Sequence, residues 1–301
     1  MDFNKQIEEV LTDDGFVVTK SYNDGLVTSN LSSLNYGKVF KPEVAKDLQD
    51  IVDIQVRMLD NVISMNRAVV PQAIHTNNEY RAIGAGSMGM VRYLTDNGIK
   101  WESNKASEVF ESLFKKQLQA TIEASHKLAL EKGSYPKFKG SDWNTGAFFD
   151  KRGFYSEEWE KYREMASKGM RNSYLLAVAP TSSNSMISNT SPSIDPPYAV
   201  VYREKKVGIN LMYVPSNYNN RTKWFYKSGF DMDEMWAIQH VASAQKYVDQ
   251  GISHNMHVSK DISASELLRL DLGAWERGLK TIYYTYVQGN GLAEDCIMCE
   301  G

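Results

Sequence analysis

The sequence predicts an α/β fold with parallel strands, on three observations. From about residue 170 onward, short buried-strand patterns alternate with helical ones, the order from which parallel sheets are built. The run Tyr174-Leu-Leu-Ala-Val-Ala179 is apolar and stops at Pro180, the mark of a strand covered on both faces. Long amphipathic stretches precede it and can supply the covering helices.

Taken in order, residues 1–20 read as a short amphipathic helix through Phe3, Ile7, Val10 and Leu11, closing at an Asp13-Asp14-Gly15 turn. Val44, Leu48, Ile51, Val52, Leu59, Val62 and Ile63 recur at helical spacing and predict a helix from about Pro42 to Met65. A longer one follows from Ser103 to Lys132, with Val109, Phe110, Leu113, Phe114, Leu118 and Ile122 on one face and Gly133 as its stop. A third runs from Ser156 to just before Gly169. Val200–Val214, broken at Lys205-Lys206 and Gly208, reads as two strands and a turn. Asp231 with Glu234, and Ser263 with Glu266, have capping-box spacing and open two further helices. A candidate strand follows each, Ile252–Val258 and then Leu279–Tyr284.

With 301 residues, 42% of them hydrophobic, the chain can bury one large core or two modest ones. A formal charge of −3 gives no reason to expect a nucleic-acid surface. No apolar run approaches the roughly 18 residues of a membrane span and no leader is evident, so a soluble cytoplasmic protein is expected. The two cysteines, Cys296 and Cys299, are too close together to staple a fold, and their pattern suits a reducing compartment.

Several short motifs carry possible chemistry. Gly84-Ala-Gly86-Ser-Met-Gly89 has the spacing of a dinucleotide loop, but the polar Asn77–Arg81 stretch before it cannot be the buried strand such a loop needs. Helix packing by small residues is the expected use. His254 and His257 could be half of a metal site, yet no further ligand cluster accompanies them and strand alternation points them to opposite faces. They are expected to be polar strand-end residues, with no metal. Pro180, Thr181, Ser182, Ser183 and Asn184 follow a buried strand, where hydroxyls and backbone N–H groups can face a phosphate; a capped polar turn fits as well. The proline-fixed loop 188–197 continues it. Tyr283-Tyr284 ends the last strand, as one core and one surface residue or as a stacked redox pair.

Cys296 and Cys299 sit in a glycine-containing terminal segment, suited to carrying a disulfide between two places. Twelve residues separate Tyr284 from Cys296, a reach of roughly 40 Å extended and about 20 Å on average. Glu294, Asp295 and Glu300 should raise both thiol pKa values by destabilising thiolate.

In this order the segments resemble the catalytic subunit of class I ribonucleotide reductases, particularly the class Ib type of bacteria and phages. Ser29-Asn-Leu-Ser-Ser-Leu-Asn35 is similar to the family's Cys-Asn-Leu-Gly-Ser-Leu-Asn, and Arg81–Gly89 to its Arg-x-Ile-Gly-x-Gly-x-x-Gly. Pro180–Asn184 falls on the substrate-phosphate loop and Ile194-Asp-Pro-Pro197 on the Ile-Glu-Pro that follows it. Asp249-Gln-Gly-Ile-Ser253 and Gly278–Tyr284 match two further segments, the second ending in the tyrosine pair that relays a radical. The terminal Cys-x-x-Cys resembles the shuttle reduced by thioredoxin or a glutaredoxin-like protein.

The resemblance implies the C-terminal half of a ten-stranded α/β barrel, with a helical N-terminal part, over residues 1–284, and a flexible redox tail over 285–301. It implies 2′-deoxygenation of ribonucleoside diphosphates by a thiyl radical, a thiol pair and a carboxylate base. No cofactor is expected on this chain, because the metal–tyrosyl radical centre belongs to the separate small subunit. Two departures stand out. The family's Asn-x-Cys-x-Glu loop, which lies upstream of the segment matching Ser29, has no counterpart here, and Ser29 stands where the family has a reducing cysteine. One reading is a catalytic-subunit piece, as in the split genes of some phages, that is inactive alone and works with an N-terminal polypeptide in the host cytoplasm. The other is a degenerate, non-catalytic paralogue that binds the small subunit or substrate.

Overall fold

The computed structural model describes residues 6–11, 15, 17–22, 25–67, 70–206, 209–215 and 217–288. Its first elements are strands β1 (Gln6–Leu11), β2 (Val17–Tyr22) and β3 (Leu31–Asn35). Helices α1 (Tyr36–Val39), α2 (Pro42–Ala45), α3 (Leu48–Met65) and α4 (Pro71–Tyr80) lead to β4 (Gly84–Met88). Next come α5 (Met90–Asp96), α6 (Asn104–Lys132), α7 (Asp142–Thr145), α8 (Ala147–Asp150), α9 (Glu157–Lys168) and α10 (Ser182–Ile187). The hairpin β5 (Tyr202–Lys206) and β6 (Ile209–Tyr213) is followed by α11 (Glu234–Gln245), β7 (Asn255–Val258), α12 (Ala264–Glu276) and β8 (Tyr284–Val287).

The core gathers around α6. The Ser103 hydroxyl accepts the Ala106 N–H at 3.2 Å and starts the helix; Gly133, at φ 83°, ends it. Phe110, Leu113, Phe114, Leu118 and Ile122 are buried, and α3, α9 and α11 pack on this helix.

Backbone hydrogen bonds join five extended segments into one open ladder. β3 and β4 are parallel, from Leu31 opposite Gly84 to Asn35 opposite Met88. Beside β4 runs the segment 174–178, with Ile83 N–H donating to Tyr174 O at 3.1 Å and Ala85 N–H to Leu175 O at 2.8 Å. Val178 bridges Ile252 in parallel, and Ser253 N–H donates to Val178 O at 2.9 Å. Tyr283 N–H then donates to His254 O at 2.8 Å, where the parallel β7–β8 pair begins. Among the described residues nothing pairs with the outer edges of β3 and β8, so the ladder is open at both sides.

Two motifs acquire a physical reason in this ladder. A Cβ on Gly84 would collide with Leu31, and one on Gly86 with the Ala177 carbonyl. The glycines therefore serve close approach of strands, not the helix packing expected for them. The Asp249 carboxylate accepts the Leu175 N–H at 2.8 Å and the Leu176 N–H at 2.7 Å, and Gln250 Nε2 donates to Ile83 O at 2.7 Å. The Asp-Gln-Gly-Ile-Ser segment thus stitches three strands together through their backbones.

Other expectations need correction. The N-terminal stretch read as a helix is an antiparallel hairpin, β1 with β2, because Val17, Val18 and Thr19 favour a strand and the Asp13-Asp14-Gly15 sequence lies between two such runs. The helix read from Pro42 to Met65 is two, broken at Lys46 and Asp47. Asp233, not Asp231, caps α11, its carboxylate accepting the Met235 N–H at 3.0 Å; Asp231 ends a short 3-10 turn. Ser263 and Glu266 do form the capping box of α12. The last two strands lie later than read, β7 starting at Asn255 and β8 running to Val287. No helix among the described residues is long and apolar enough to cross a membrane.

Candidate functional site

Parallel ladders offer ligands a place at the carboxyl ends of their strands, where backbone amides and loop side chains converge. Here that end is roofed by residues 180–195. Thr181 (φ 55°), Asn189 (φ 54°) and Ser193 (φ 43°) are left-handed, a costly conformation for residues with a Cβ. The Thr181 hydroxyl accepts the Ser193 N–H at 2.8 Å and closes the loop on itself. It does not cap α10, whose first turn therefore lacks a side-chain cap from Thr181.

The loop is tied to the ends of β3 and β4. Asn35 Nδ2 donates to Ser188 O at 3.3 Å, and Gly89 N–H to Ser191 O at 2.8 Å. Gly89, at φ 84°, must be glycine, since a Cβ would lie 2.5 Å from Thr190 Oγ1 and 2.8 Å from Asn35 Oδ1. Asn35 Oδ1, Thr190 Oγ1 and Ser193 Oγ are buried without hydrogen-bond partners. Such groups are costly unless something satisfies them, and here they collect at one end of the ladder. Beside them, a cavity of about 190 Å³ is lined by Arg92, Met186, Asn189, Thr190 and Tyr213.

A second cluster, missed by the sequence reading, joins this roof to the strands. His254 is fully buried; its Nδ1 lies 2.7 Å from Asp195 Oδ1 and its Nε2 lies 3.2 Å from Glu234 Oε1. Asp195 Oδ2 also accepts the Asn255 N–H and Nδ2–H, both at 3.0 Å, and Glu234 Oε2 accepts the His257 N–H at 3.0 Å. Burial opposes charge on His254, but attraction to Asp195 and hydrogen bonding with Asp195 and Glu234 outweigh it and push its pKa up to about 10. Burial raises the Glu234 pKa, and burial pushes His257 down to about 4. The expectation of ordinary polar strand-end histidines is therefore corrected: both are buried, and His257 packs against the rings of Phe230 and Tyr286. Part of the signal was readable, an acidic residue held between Ile194 and Pro196.

Tyr283 and Tyr284 sit half-exposed at the start of β8 with ring centroids 4.1 Å apart, and Tyr286 continues the series 5.9 Å from Tyr284. A hydrogen bond with Tyr284 raises the Tyr283 pKa. The backbone bond to His254 brings this pair to the same cluster that holds Asp195. Ser29 is exposed, two residues before β3, and lies toward the other end of that strand from Asn35. Cys296 and Cys299 lie outside the described residues.

Residues 17–285 match the family described as "Ribonucleotide reductase, barrel domain". The chain is 40% identical over 274 residues to the ribonucleoside-diphosphate reductase subunit alpha of Treponema pallidum, covering 90% of this chain and 32% of that protein. It is 34% identical over 299 residues to the subunit alpha of Helicobacter pylori, covering 94% and 38%. To that of Bacillus subtilis it is 30% identical over 297 residues, covering 91% and 42%. The chain thus spans about a third to two fifths of the length of these relatives. With its open ladder and its motifs in matching order, the chain belongs to the ribonucleotide reductase barrel-domain family.

Proposed function

We propose that this chain supplies the C-terminal part of a ribonucleoside-diphosphate reductase catalytic subunit and acts only with the sequence that completes the barrel. The observation that carries this reading is the roof of residues 180–195, with buried, unpartnered polar oxygens of Asn35, Thr190 and Ser193 at the carboxyl ends of parallel strands. Pro180, Thr181, Ser182, Ser183 and Asn184 hold the substrate diphosphate, through hydroxyls and first-turn amides. Tyr283 and Tyr284 pass a radical equivalent from the small subunit, whose metal centre generates it; ring contact at 4.1 Å suits such a step. Cys296 and Cys299 close to a disulfide as their two electrons and two protons pass to the substrate ribose, whose 2′-hydroxyl leaves as water, and thioredoxin or a glutaredoxin-like protein reopens the disulfide.

The edges of β3 and β8, which nothing pairs among the described residues, favour a complementary polypeptide over independent action. The test is reconstitution. The purified chain alone should reduce no cytidine diphosphate, and addition of an N-terminal barrel polypeptide with a small subunit should produce deoxycytidine diphosphate. No product from the mixture overturns the catalytic reading.

Ser29 favours a second reading, a non-catalytic paralogue that binds substrate or the small subunit, because serine cannot form the family's disulfide. Ser29→Cys separates the two. If the chain works by the family route, the variant keeps or improves turnover with a thioredoxin-type reductant. Binding without turnover in both proteins supports the paralogue.

A further inference from the structure

His254 occupies a junction between three parts of the molecule. Its ring meets Asp195 of the roof at 2.7 Å and Glu234, the first residue of α11, at 3.2 Å. Its carbonyl accepts the Tyr283 N–H at 2.8 Å, at the start of β8. Asp195 stands two residues beyond Ser193, whose N–H is held by Thr181 within the candidate phosphate loop. A shift of Asp195 therefore moves the chain that closes that loop.

We propose that His254, gripped between the carboxylates of Asp195 and Glu234, is a positioning residue that holds the 180–195 roof in register with the strand carrying Tyr283. The inference rests on the reading of Pro180–Asn184 as a phosphate site only for its consequence in binding; the clamp itself is a property of this chain. Two carboxylates around one buried imidazole make a directional tie, because opposite ring nitrogens face different elements. A neutral imidazole has one N–H and can donate to only one of them. The protonated ring donates from Nδ1 to Asp195 and draws Glu234 Oε1 to 3.2 Å from Nε2 by charge, without hydrogen-bond geometry, so the tie between loop and α11 depends on that proton. The groups facing the ring are Asp195 from the roof, Glu234 from α11 and, on its own strand, His257, which burial keeps neutral at pH 7. From β8 the facing group is the Tyr283 backbone, with Tyr286 against His257.

The experiment uses the full chain, labelled with ¹⁵N, and follows the imidazole nitrogens and the amides of Asn255 and Ser193 from pH 6 to 10.5. The His254 ring should stay doubly protonated past pH 8 and lose its proton near pH 10, and both amides should shift with it. In Asp195→Asn the midpoint should fall by about one to three pH units, as for loss of a paired carboxylate. In His254→Gln the two amides should stop responding to pH, and hydrogen exchange over residues 181–193 should speed up on the order of tenfold while α6 is unchanged. A ring that titrates near its ordinary value of about 6.5, or a midpoint that Asp195→Asn leaves in place, overturns the clamp.

If His254→Gln does not fold, Asp195→Asn, which keeps the shape of the side chain, decides the matter by the same midpoint. Cytidine diphosphate binding is measured in parallel on the same proteins. Failure of the wild-type chain to bind it counts against the phosphate-site reading, and the titration still decides the clamp.

Discussion

At the end where the strands begin, Asp60 lies fully buried on α3, 2.7 Å from Arg81 and 3.1 Å from Arg171, with Lys132 at 3.5 Å. Further donors are used nearby: Arg81 Nη2 on Asp60 O and the Ser64 hydroxyl, Arg171 Nη1 on the carbonyls of Lys132 and Gly133. At the end where the strands finish, Asn35 Oδ1, Thr190 Oγ1 and Ser193 Oγ are buried without partners, beneath a loop with three left-handed non-glycine residues. The first end pairs its buried charge internally, with the Ser173 hydroxyl left without a partner there, while the second gathers three unpartnered oxygens under a strained loop. The difference separates where stability is held from where binding is proposed: satisfied charge ties the ladder down, and unsatisfied, strained groups mark the face proposed to meet a ligand.

The contrast can be broken most forcefully at Asp60. Asp60→Asn leaves the buried Arg81 and the partly exposed Arg171 guanidinium without their anion, and urea unfolding should show a loss of about 3–5 kcal/mol. A loss under about 1 kcal/mol would mean that solvent reaches this cluster and that the two ends are alike.

The next effect is a pH slope, and its sign follows from the histidines. His254 has a folded pKa near 10, above the unfolded value of about 6.5, so its contribution is complete below pH 6.5 and is lost as pH rises to about 10. His240, between the Ser107 hydroxyl and the Trp101 carbonyl, is pushed by burial down to about 4, as is His257. Their contributions hold above pH 6.5 and fade as pH falls toward 4. Urea midpoints should therefore decline on both sides of neutrality, and His254→Gln should flatten the alkaline limb alone. An unchanged alkaline limb in that variant would separate His254 from the stability of the roof.

The smallest change in stability is expected at Ser193. Removing a buried hydroxyl that has no partner should alter stability by no more than about 0.5 kcal/mol, in either direction. Cytidine diphosphate affinity should fall in the same variant. Equal losses of stability and affinity would show that the hydroxyl is satisfied within the protein and would erase the difference between the two ends.

Much of the fold was legible because it rests on local physics. Helical spacing, the Ser103 cap and the Gly133 stop define α6; the apolar run ending at Pro180 marks the central strand segment; Ser263 and Glu266 are read correctly as a capping box. The resemblance rested on short motifs whose order along the chain is itself sequence information. The candidate phosphate loop was proposed from its place after a buried strand; the tyrosine pair was read at a strand's end, whereas Tyr284 opens β8. Local pattern misled at the N-terminus, where a short run suited helix and strand equally until β1 and β2 paired, and at Asp231, where two acidic residues competed for one cap.

Only the tertiary structure decided the rest. Nothing near Gly84 and Gly86 in the chain reveals that Leu31 and the Ala177 carbonyl crowd them, because those atoms arrive from other strands. Asp195, Glu234 and His254 are tens of residues apart and become one cluster only when the roof, α11 and the strand before β7 converge. By itself the sequence determined most of the helices and the motifs along the chain, since backbone preference and apolar period act between near neighbours, but not the N-terminal hairpin. Which polar groups are satisfied, which are left open and which histidine keeps its proton depend on burial and on partners brought from a distance, and those exist only in the folded chain.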